Sequence, residues 1–284
     1  METAVLHLVY TPLGEGPVRR FLRSYDAMHA GTEHRLTLIL NGGSAPWFDG
    51  LANDRDVDVY RVEGDGVLDL DAYRLAVGHR HADAYCFLNS YSELLADDWL
   101  SKLLGPLGDQ AVGMTGAGGS FETIRAHYPW APPASVDDLL PPHGLRMRLG
   151  YARARVWVNR RFSRFPNVHV RTNAFALRTD VIRRLRWPAL RTKPDAWALE
   201  SGRNGFSSQV QSLGLGLRVV GADGRAFAPV DWPTSGTVRS DDQRNLLVAD
   251  NRTEEYSSAP HAGRCALRAL AWGQNVPTRP SPRN

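Results

Sequence analysis

Short apolar runs and amphipathic segments alternate along the first 120 residues of the chain. The apolar runs have the length of buried strands, and each is closed by polar, glycine or proline residues. They occupy residues 4–10, 35–44, 57–63, 83–89 and 111–117. Helical spacing of apolar residues is found between them, at residues 16–30, 68–81 and 96–107. Strands that alternate with single helices predict right-handed crossovers, and therefore an α/β fold with a mostly parallel sheet.

Polar residues mark the ends of these predicted strands. The carboxyl ends of parallel strands meet at one edge of a sheet, and folds of this kind bind their ligands there. We therefore expect four such residues, Thr11, Asn41, Asp65 and Asn89, to lie together along that edge.

The second half of the chain is less regular. Residues 127–144 hold five prolines and are predicted to form a surface loop. Residues 145–165 are predicted to be an amphipathic helix, and residues 169–185 a strand that runs into a helix. Residues 207–224 are predicted to be a helix followed by a strand, and the last residues have the composition of a disordered tail.

Arginine dominates the positive charge of this sequence. The formal net charge is +4, and only two of the 34 basic residues are lysines. Residues 139–179 contain nine arginines and no aspartate or glutamate. Within the predicted helix, Arg146, Arg153 and Arg160 recur every seven residues and therefore fall on one stripe. Such a stripe would attract phosphates or an anionic membrane surface. A merely solvated stripe explains the same pattern, because the base composition of the genome can by itself favour arginine.

The sequence also bears on where the protein works. No apolar stretch approaches the roughly 20 residues that span a bilayer. The first residues lack the basic region and cleavage site of a signal peptide, and Cys86 lies in an apolar run where a reduced, buried thiol is expected. We expect a cytoplasmic protein, in peripheral contact with the inner face of the membrane if the arginine stripe binds lipid.

Four short motifs carry a resemblance to a known family. The first predicted strand ends in Thr11-Pro12, and the second in Asn41-Gly42-Gly43-Ser44. The fourth ends in Phe87-Leu88-Asn89-Ser90-Tyr91, and Glu200 lies in ALESGRNGFSSQVQSLG. Their order and spacing, over roughly residues 4–224, resemble the GT-A fold of nucleotide-sugar glycosyltransferases, in particular the inverting family 2.

The resemblance implies a Rossmann-like, mostly parallel central sheet flanked by helices, and a role for several residues. Glu200 would be the general base, with Asp195 in reserve. Arg171 and Asn173 would lie on the acceptor side. The donor would be bound by Thr11, Pro12, Asn41, Ser44, Asp65, Arg74, Asn89 and Tyr91.

The resemblance also implies a reaction and a division of the chain. A sugar would pass, with inversion, from a nucleoside-diphosphate donor to a hydroxyl acceptor that is a saccharide or is lipid-linked. Bacterial polysaccharide or glycoconjugate synthesis would be the setting. One domain would cover residues 1–258, with a nucleotide-binding half at 1–120 and an acceptor half at 121–258. A C-terminal helix and disordered tail would follow at 259–284.

Metal binding is where the sequence departs from that family. The family carries aspartates where this chain has Asn89 and Tyr91, and neutral side chains bind Mg²⁺ or Mn²⁺ weakly. Glu93 is the nearest carboxylate. Three outcomes are open: a cation held weakly by Asn89 and Glu93, an arginine that neutralises the diphosphate, or no catalysis. We expect the second, with Arg74 as the first candidate and weak or absent dependence on metal.

Two other classes of function compete with an enzyme. A sugar-nucleotide-binding or scaffolding protein of the same fold would not need the lost aspartates. A nucleic-acid binder would need aromatic residues interleaved on a basic face, whereas Trp157, Phe162 and Phe165 better explain the packed side of the predicted helix. We therefore expect no nucleic-acid partner. Two residues also have ordinary structural explanations. Glu200 would stabilise a helix N-terminus by its charge, and Asn41 would serve as a turn residue.

Overall fold

A central sheet of eight strands forms the framework of the protein. The computed structural model describes residues 2–52, 56–64, 66–127 and 143–274. The strands are β1 (Thr3–Tyr10), β2 (Arg35–Asn41), β3 (Asp58–Arg61), β4 (Ala84–Leu88), β5 (Glu93–Leu94), β6 (Val112–Gly116), β7 (Gly119–Ser120), β8 (His169–Val170), β9 (Ala174–Arg178), β10 (Gly216–Val220), β11 (Ala226–Phe227) and β12 (Val248–Ala249). The α-helices are α1 (Gly16–Ala27), α2 (Pro46–Ala52), α3 (Asp69–His79), α4 (Trp99–Leu104), α5 (Ile124–His127), α6 (His143–Arg161), α7 (Thr179–Ile182), α8 (Lys193–Ser201), α9 (Phe206–Ser212), α10 (Asn251–Ser258) and α11 (His261–Trp272).

The strand order of the large sheet is β11-β10-β6-β9-β4-β1-β2-β3. Strand β1 pairs in parallel with β2 and β4, β2 with β3, and β6 with β10. Strand β9 runs antiparallel between β4 and β6, and β11 antiparallel to β10. The predicted fold class, α/β with a mostly parallel sheet flanked by helices, is confirmed.

Helices cover both faces of this sheet. Along β1, Val5 and Val9 pack into the core on the side of α1 and α4, whereas Leu6 and Leu8 pack on the side of α3 and α9. A strand buried on both faces is mostly apolar, which is why the central strands β1, β2 and β4 appear in the sequence as nearly continuous apolar runs. Among the described residues, no helix combines the length and hydropathy that crossing a bilayer requires.

The sequence located most of these elements but misjudged several boundaries. The strand predicted at 35–44 ends at Asn41, because Gly42 adopts φ 103° and leaves the extended conformation. Helix α2 was missed, and the helix predicted at 145–165 ends at Arg161. Asp65, most of the predicted loop at 127–144 and the tail beyond residue 274 lie outside the described residues.

His7 is an unusual residue in the middle of β1. Its ring is fully buried and stacks on Phe21 with 3.6 Å between the ring centroids, and both ring nitrogens have no hydrogen-bond partner. Burial lowers the pKa of His7 to about 3, so the ring stays neutral in the folded protein. The unfolded chain takes up a proton below the ordinary pKa of 6.5. Stability should therefore be complete above pH 6.5 and fall as the pH decreases from 6.5 towards 3.

Replacing His7 with leucine should stabilise the protein. The change removes two buried polar atoms without partners, and we expect the free energy of unfolding at pH 5 to rise by about 1–3 kcal/mol. Urea denaturation at pH 5 and pH 7.5 measures this, and the variant should show a weaker pH dependence. The exposed His81, replaced in the same way, is the matched control. An unchanged pH dependence in His7→Leu would contradict the assignment.

Candidate active site

Three of the four residues expected at the carboxyl edge of the sheet lie there. Thr11 begins a 3-10 turn directly after β1, Asn41 is the last residue of β2, and Asn89 follows β4. The first two turns touch, because a Cβ built on Gly42 would lie 2.6 Å from Cδ of Pro12 and 3.0 Å from Oγ1 of Thr11. Glycine therefore permits this close approach. The side chain of Asn41 donates to the Val67 carbonyl (2.8 Å) and so ties β2 to the segment before α3.

Asn89 presents a hydrogen-bond donor, because its oxygen is already used. Oδ1 accepts from the backbone N–H of Tyr91 (3.1 Å) and from the hydroxyl of Ser92 (3.0 Å). A backbone N–H can only donate, so this contact fixes which amide atom is the oxygen. The remaining Nδ2 group is a donor that suits a phosphate or sugar oxygen better than a cation.

A small cavity of about 260 Å³ opens beside Asn89, between the N-termini of α3 and α10, the start of β9 and the helix α8. We call it the inner cavity, and the residues that define it are Asp69, Tyr73, Asn89, Arg171, Asn173 and Glu200.

Two residues that line the inner cavity carry buried polar atoms without hydrogen-bond partners. Asn173 is only 5% exposed, and neither atom of its side-chain amide has a hydrogen-bond partner. Arg171 donates through Nη2 to Oδ2 of Asp250 (2.8 Å), while its buried Nη1 has no partner. Buried polar groups in native proteins are nearly always hydrogen-bonded, since leaving one unpaired costs roughly 1–3 kcal/mol. These atoms have almost no contact with solvent, so a polar ligand in the cavity would reach them only after the two side chains rotate.

Glu200 is a partly buried carboxylate that faces the inner cavity. Its Oε1 accepts from the hydroxyl of Thr172 (3.0 Å). Burial raises the pKa of Glu200, nearby Asp69 raises it further, and the Thr172 hydrogen bond opposes the shift. Glu200 lies in the last turn of α8, so the suggestion that it serves a helix N-terminus is wrong. At a C-terminus a negative charge meets the negative end of the helix dipole, and helix electrostatics do not explain its position.

Asp69 is a second carboxylate in the inner cavity, and the sequence reasoning missed it. It is the first residue of α3, where an aspartate is ordinarily read as a helix-stabilising charge. Part of the Asp69 side chain reaches solvent. The surrounding protein nevertheless removes enough water from the carboxyl to raise its pKa, and the positive charge of Lys193 partly offsets that rise. Only the fold places Asp69 and Glu200 on one cavity.

A larger cavity of about 690 Å³ adjoins the inner one, and we call it the outer cavity. Five residues line both cavities, namely His169, Arg171, Glu200, Ser201 and Arg252. The apolar wall of the outer cavity consists of Ile124, Trp197, Val238, Leu267, Leu270 and Ala271.

The arginines of the outer cavity are each paired with a carboxylate, Arg171 with Asp250 among them. Arg239 pairs with Glu122 at 2.9 Å, and Arg252 pairs with Glu255 at 3.0 Å. The Nδ1–H group of His169 donates a hydrogen bond to the Asn167 carbonyl (2.8 Å), so Nε2 of the neutral ring is an acceptor. Burial lowers the pKa of His169, so the ring is neutral near pH 7. The outer cavity therefore suits a ligand without net charge.

Seven of the described residues that were predicted for catalysis or donor binding line neither cavity: Thr11, Pro12, Asn41, Ser44, Arg74, Tyr91 and Asp195. Arg74 donates to Asp71 at 2.7 Å within α3 and does not line the inner cavity. Asp195 forms a capping box with Thr192 and an ion pair with Arg161 (2.8 Å), and the Thr192 hydrogen bond lowers the pKa of its carboxyl. Ser44 is exposed after β2. The sequence signal for Asp195 was available, because a threonine three residues before an aspartate is a capping pattern.

The residues at the position of the family's metal motif do not fit a cation. The oxygen of Asn89 is used within its own turn, and Tyr91 carries no formal charge. Glu93 lies in β5, which pairs with β12, and lines neither cavity. Within the described ranges, no three histidine, cysteine, aspartate or glutamate side chains are grouped as metal ligands would be.

A cavity of about 1000 Å³ lies at the opposite edge of the sheet, next to Thr3 and Arg35 at the starts of β1 and β2. It is larger than either cavity near Glu200. None of the described residues that line it has a buried polar side-chain atom without a partner. Sheets of this kind bind ligands at the carboxyl ends of their strands. We therefore take the inner and outer cavities as the candidate site.

Known proteins resemble this chain in structure only. No family model matches the sequence, and no curated protein does. A mannosyltransferase of Pyrobaculum calidifontis in complex with GDP-Man and Mn²⁺ aligns at 12% identity and TM-score 0.45, over 76% of this chain and 53% of its own. A CMP:2-keto-3-deoxy-manno-octonic acid synthetase complexed with CTP aligns at 14% identity and TM-score 0.42, over 77% and 89%.

Residues 1–349 of S. aureus TarS in complex with UDP-GlcNAc align at 12% identity and TM-score 0.33 over 40% of this chain. The chain spans about a third of that protein's length, 33%. The solved structures thus include a glycosyltransferase, the class that the sequence resembles.

Proposed function

We propose that this protein is a glycosyltransferase that moves a sugar from a nucleoside-diphosphate donor to a hydroxyl acceptor with inversion. The observation that carries the proposal is the position of Glu200, a carboxylate of raised pKa between a small polar cavity and a larger, partly apolar one. A transfer reaction needs such an arrangement, because the base must reach the acceptor hydroxyl while the donor sugar is held next to it.

The inner cavity would hold the sugar that is transferred. After rotation, the side chains of Asn173 and Arg171 would hydrogen-bond its hydroxyls, which accounts for their unpartnered atoms. Nδ2 of Asn89 would donate to the ribose or the diphosphate. Asp69 would stabilise the positive charge that develops at the anomeric carbon, as carboxylates do in related displacements at that atom.

The acceptor hydroxyl would attack the anomeric carbon from the outer cavity. The bond from that carbon to the diphosphate oxygen breaks, and the hydroxyl proton passes to Glu200. His169 Nε2 can accept a hydrogen bond from a second hydroxyl of the acceptor. Because the arginines of the outer cavity are paired, an uncharged acceptor with an apolar portion fits it best. Saccharide and lipid-linked acceptors of polysaccharide or glycoconjugate synthesis both offer this chemistry.

The nucleotide would lie along the carboxyl edge of the sheet, at Thr11, Pro12, Asn41 and Ser44. Asp65 would contact the base or the ribose of the donor. We assign the charge that offsets the diphosphate to Arg171 and Arg252, which line the inner cavity. Arg74, the first candidate from the sequence, does not line the inner cavity. We place the reaction in the cytoplasm, at the inner face of the membrane.

Donor binding should be insensitive to removal of divalent cations. We expect calorimetric titration with UDP, GDP, CDP and their hexose derivatives to identify a donor whose affinity agrees within a few-fold in Mn²⁺, Mg²⁺ and EDTA. Binding of a hexose derivative should exceed that of the bare nucleotide. A large loss of affinity in EDTA, reproduced by Glu93→Gln but not by Arg252→Ala, would show that a metal site exists after all.

The competing function is a sugar-nucleotide-binding protein without catalysis. The same donor screen separates the two, because an enzyme should also hydrolyse the donor slowly when no acceptor is present. A donor that binds and stays intact in long incubations with a panel of acceptors would favour the binding protein. The absence of any nucleotide binding would refute both.

A further inference from the structure

Six arginines surround a concave surface on the side of α8 that faces away from Glu200. We call this surface the arginine groove, and its cavity measures about 760 Å³. The arginines come from the end of α6, the segment between α7 and α8, and the turn after α8. They are Arg160, Arg161, Arg184, Arg186, Arg191 and Arg203.

The arginine groove carries a large surplus of positive charge. Asp195 is the one carboxylate among the described residues that line it, and Arg161 already pairs with it at 2.8 Å. The six arginines are exposed, and the other five form no ion pair with any described residue. Unpaired like charges around one concavity repel each other, so the arrangement does not serve folding. An anionic ligand would relieve the repulsion.

Apolar side chains continue the arginine groove along α6. Val156 is 49% exposed, and Trp157 next to it packs against Arg161, whose guanidinium carbon lies 5.2 Å from the ring centroid. Arg153 and Arg160 of the predicted stripe are exposed on the same helix, whereas the side chain of Arg146 lies outside what the structure describes. Arginine beside tryptophan and an aliphatic residue is the composition of surfaces that lie in a lipid headgroup layer.

We propose that the arginine groove, together with Val156 and Trp157, binds the phosphate-bearing headgroups of an anionic membrane surface. Guanidinium groups bind phosphate through two parallel hydrogen bonds, and several acting together hold a protein at such a surface. Burial of Val156 among lipid headgroups is favourable, and a nucleic-acid backbone would offer this side chain nothing comparable. The inference does not depend on the proposed function, since no residue of the arginine groove lines the inner or outer cavity.

Sedimentation with phosphatidylcholine vesicles, with and without phosphatidylglycerol, tests the proposal. We expect binding only to the anionic vesicles, and weaker binding as salt is added. The triple variant Arg184→Gln, Arg186→Gln, Arg191→Gln should lower the partition coefficient by on the order of 10²-fold. Val156→Ser should lower it without any change of charge.

The matched control is a triple variant of exposed arginines elsewhere, Arg23→Gln, Arg225→Gln, Arg244→Gln, which changes the net charge equally. It should keep most of the binding. Equal losses in the two triple variants would overturn the proposal, because net charge alone would then explain the attraction. Absence of binding by the native protein at low salt would overturn it, and so would an RNA oligonucleotide that displaces the protein from vesicles at equal phosphate concentration.

Discussion

Turnover should fall by about 10²- to 10⁴-fold when Glu200 is replaced by glutamine, with donor binding unchanged within a few-fold. Glutamine keeps the shape of the side chain and an oxygen that can accept from Thr172, but it cannot take the proton of the acceptor hydroxyl. Steady-state kinetics with the donor found by calorimetry measures the first quantity, and calorimetry of the variant measures the second.

The pH profile gives an independent check on Glu200. A general base works only when deprotonated, and burial raises the pKa of Glu200 above its ordinary value of 4.5. Activity should therefore fall as the pH decreases, with a midpoint above 4.5, and the residual activity of Glu200→Gln should lack this limb. Asp195→Asn is the control, because the amide oxygen of asparagine can still accept from the Thr192 N–H in the capping box, and it should stay within a few-fold of the native protein. Turnover of Glu200→Gln at that same level would assign the base to another carboxylate, Asp69 first.

Replacing Arg171 with methionine should lower the free energy of unfolding by about 3–5 kcal/mol. Asp250 is 1% exposed and pairs with Arg171 at 2.8 Å, so the change would leave a buried carboxylate without its cation. Oδ1 of Asp250 also caps α10 through the N–H groups of Arg252 and Thr253. Urea denaturation of both proteins at pH 7.5 measures the difference.

A second change separates the structural role of Arg171 from its role in binding. In the double variant Arg171→Met, Asp250→Asn, the asparagine still caps α10 and no buried charge is left unpaired. Stability should recover most of the loss, whereas donor affinity should stay reduced because Nη1 of Arg171 is missing. Native donor affinity in the double variant would show that Arg171 is structural only.

Several features of the site could be read from the sequence because they depend on neighbouring residues. Thr11, Asn41 and Asn89 each follow an apolar run directly, and parallel strands bring such positions to one edge. The interactions that engage Asp195 and Arg74 are local too. A capping pattern starts at Thr192, and Asp71 lies three residues before Arg74 on one helix. Our prediction that Arg74 offsets the charge of the diphosphate did not take its ion pair with Asp71 into account.

Other features of the site depend on residues far apart in the chain. Asn173 reaches the inner cavity because β9 runs antiparallel beside β4, where the N–H of Asn89 donates to the Asn173 carbonyl (2.8 Å). An apolar run looks the same for either strand direction, so the pattern could not give the direction of β9. The meeting of Asp69, His169 and Glu200 likewise has no local signature.

The sequence by itself determined the α/β class and the positions of the parallel strands. A strand buried on both faces is mostly apolar and a turn at the sheet edge is mostly polar, so both features follow from the types of neighbouring residues. Only the tertiary structure decided which polar side chains share a cavity and which are engaged elsewhere. Those outcomes depend on contacts between distant segments, such as Thr172 with Glu200 and Arg171 with Asp250. The raised pKa of Glu200 also depends on the tertiary structure. Burial raises it, and burial is a property of the folded chain.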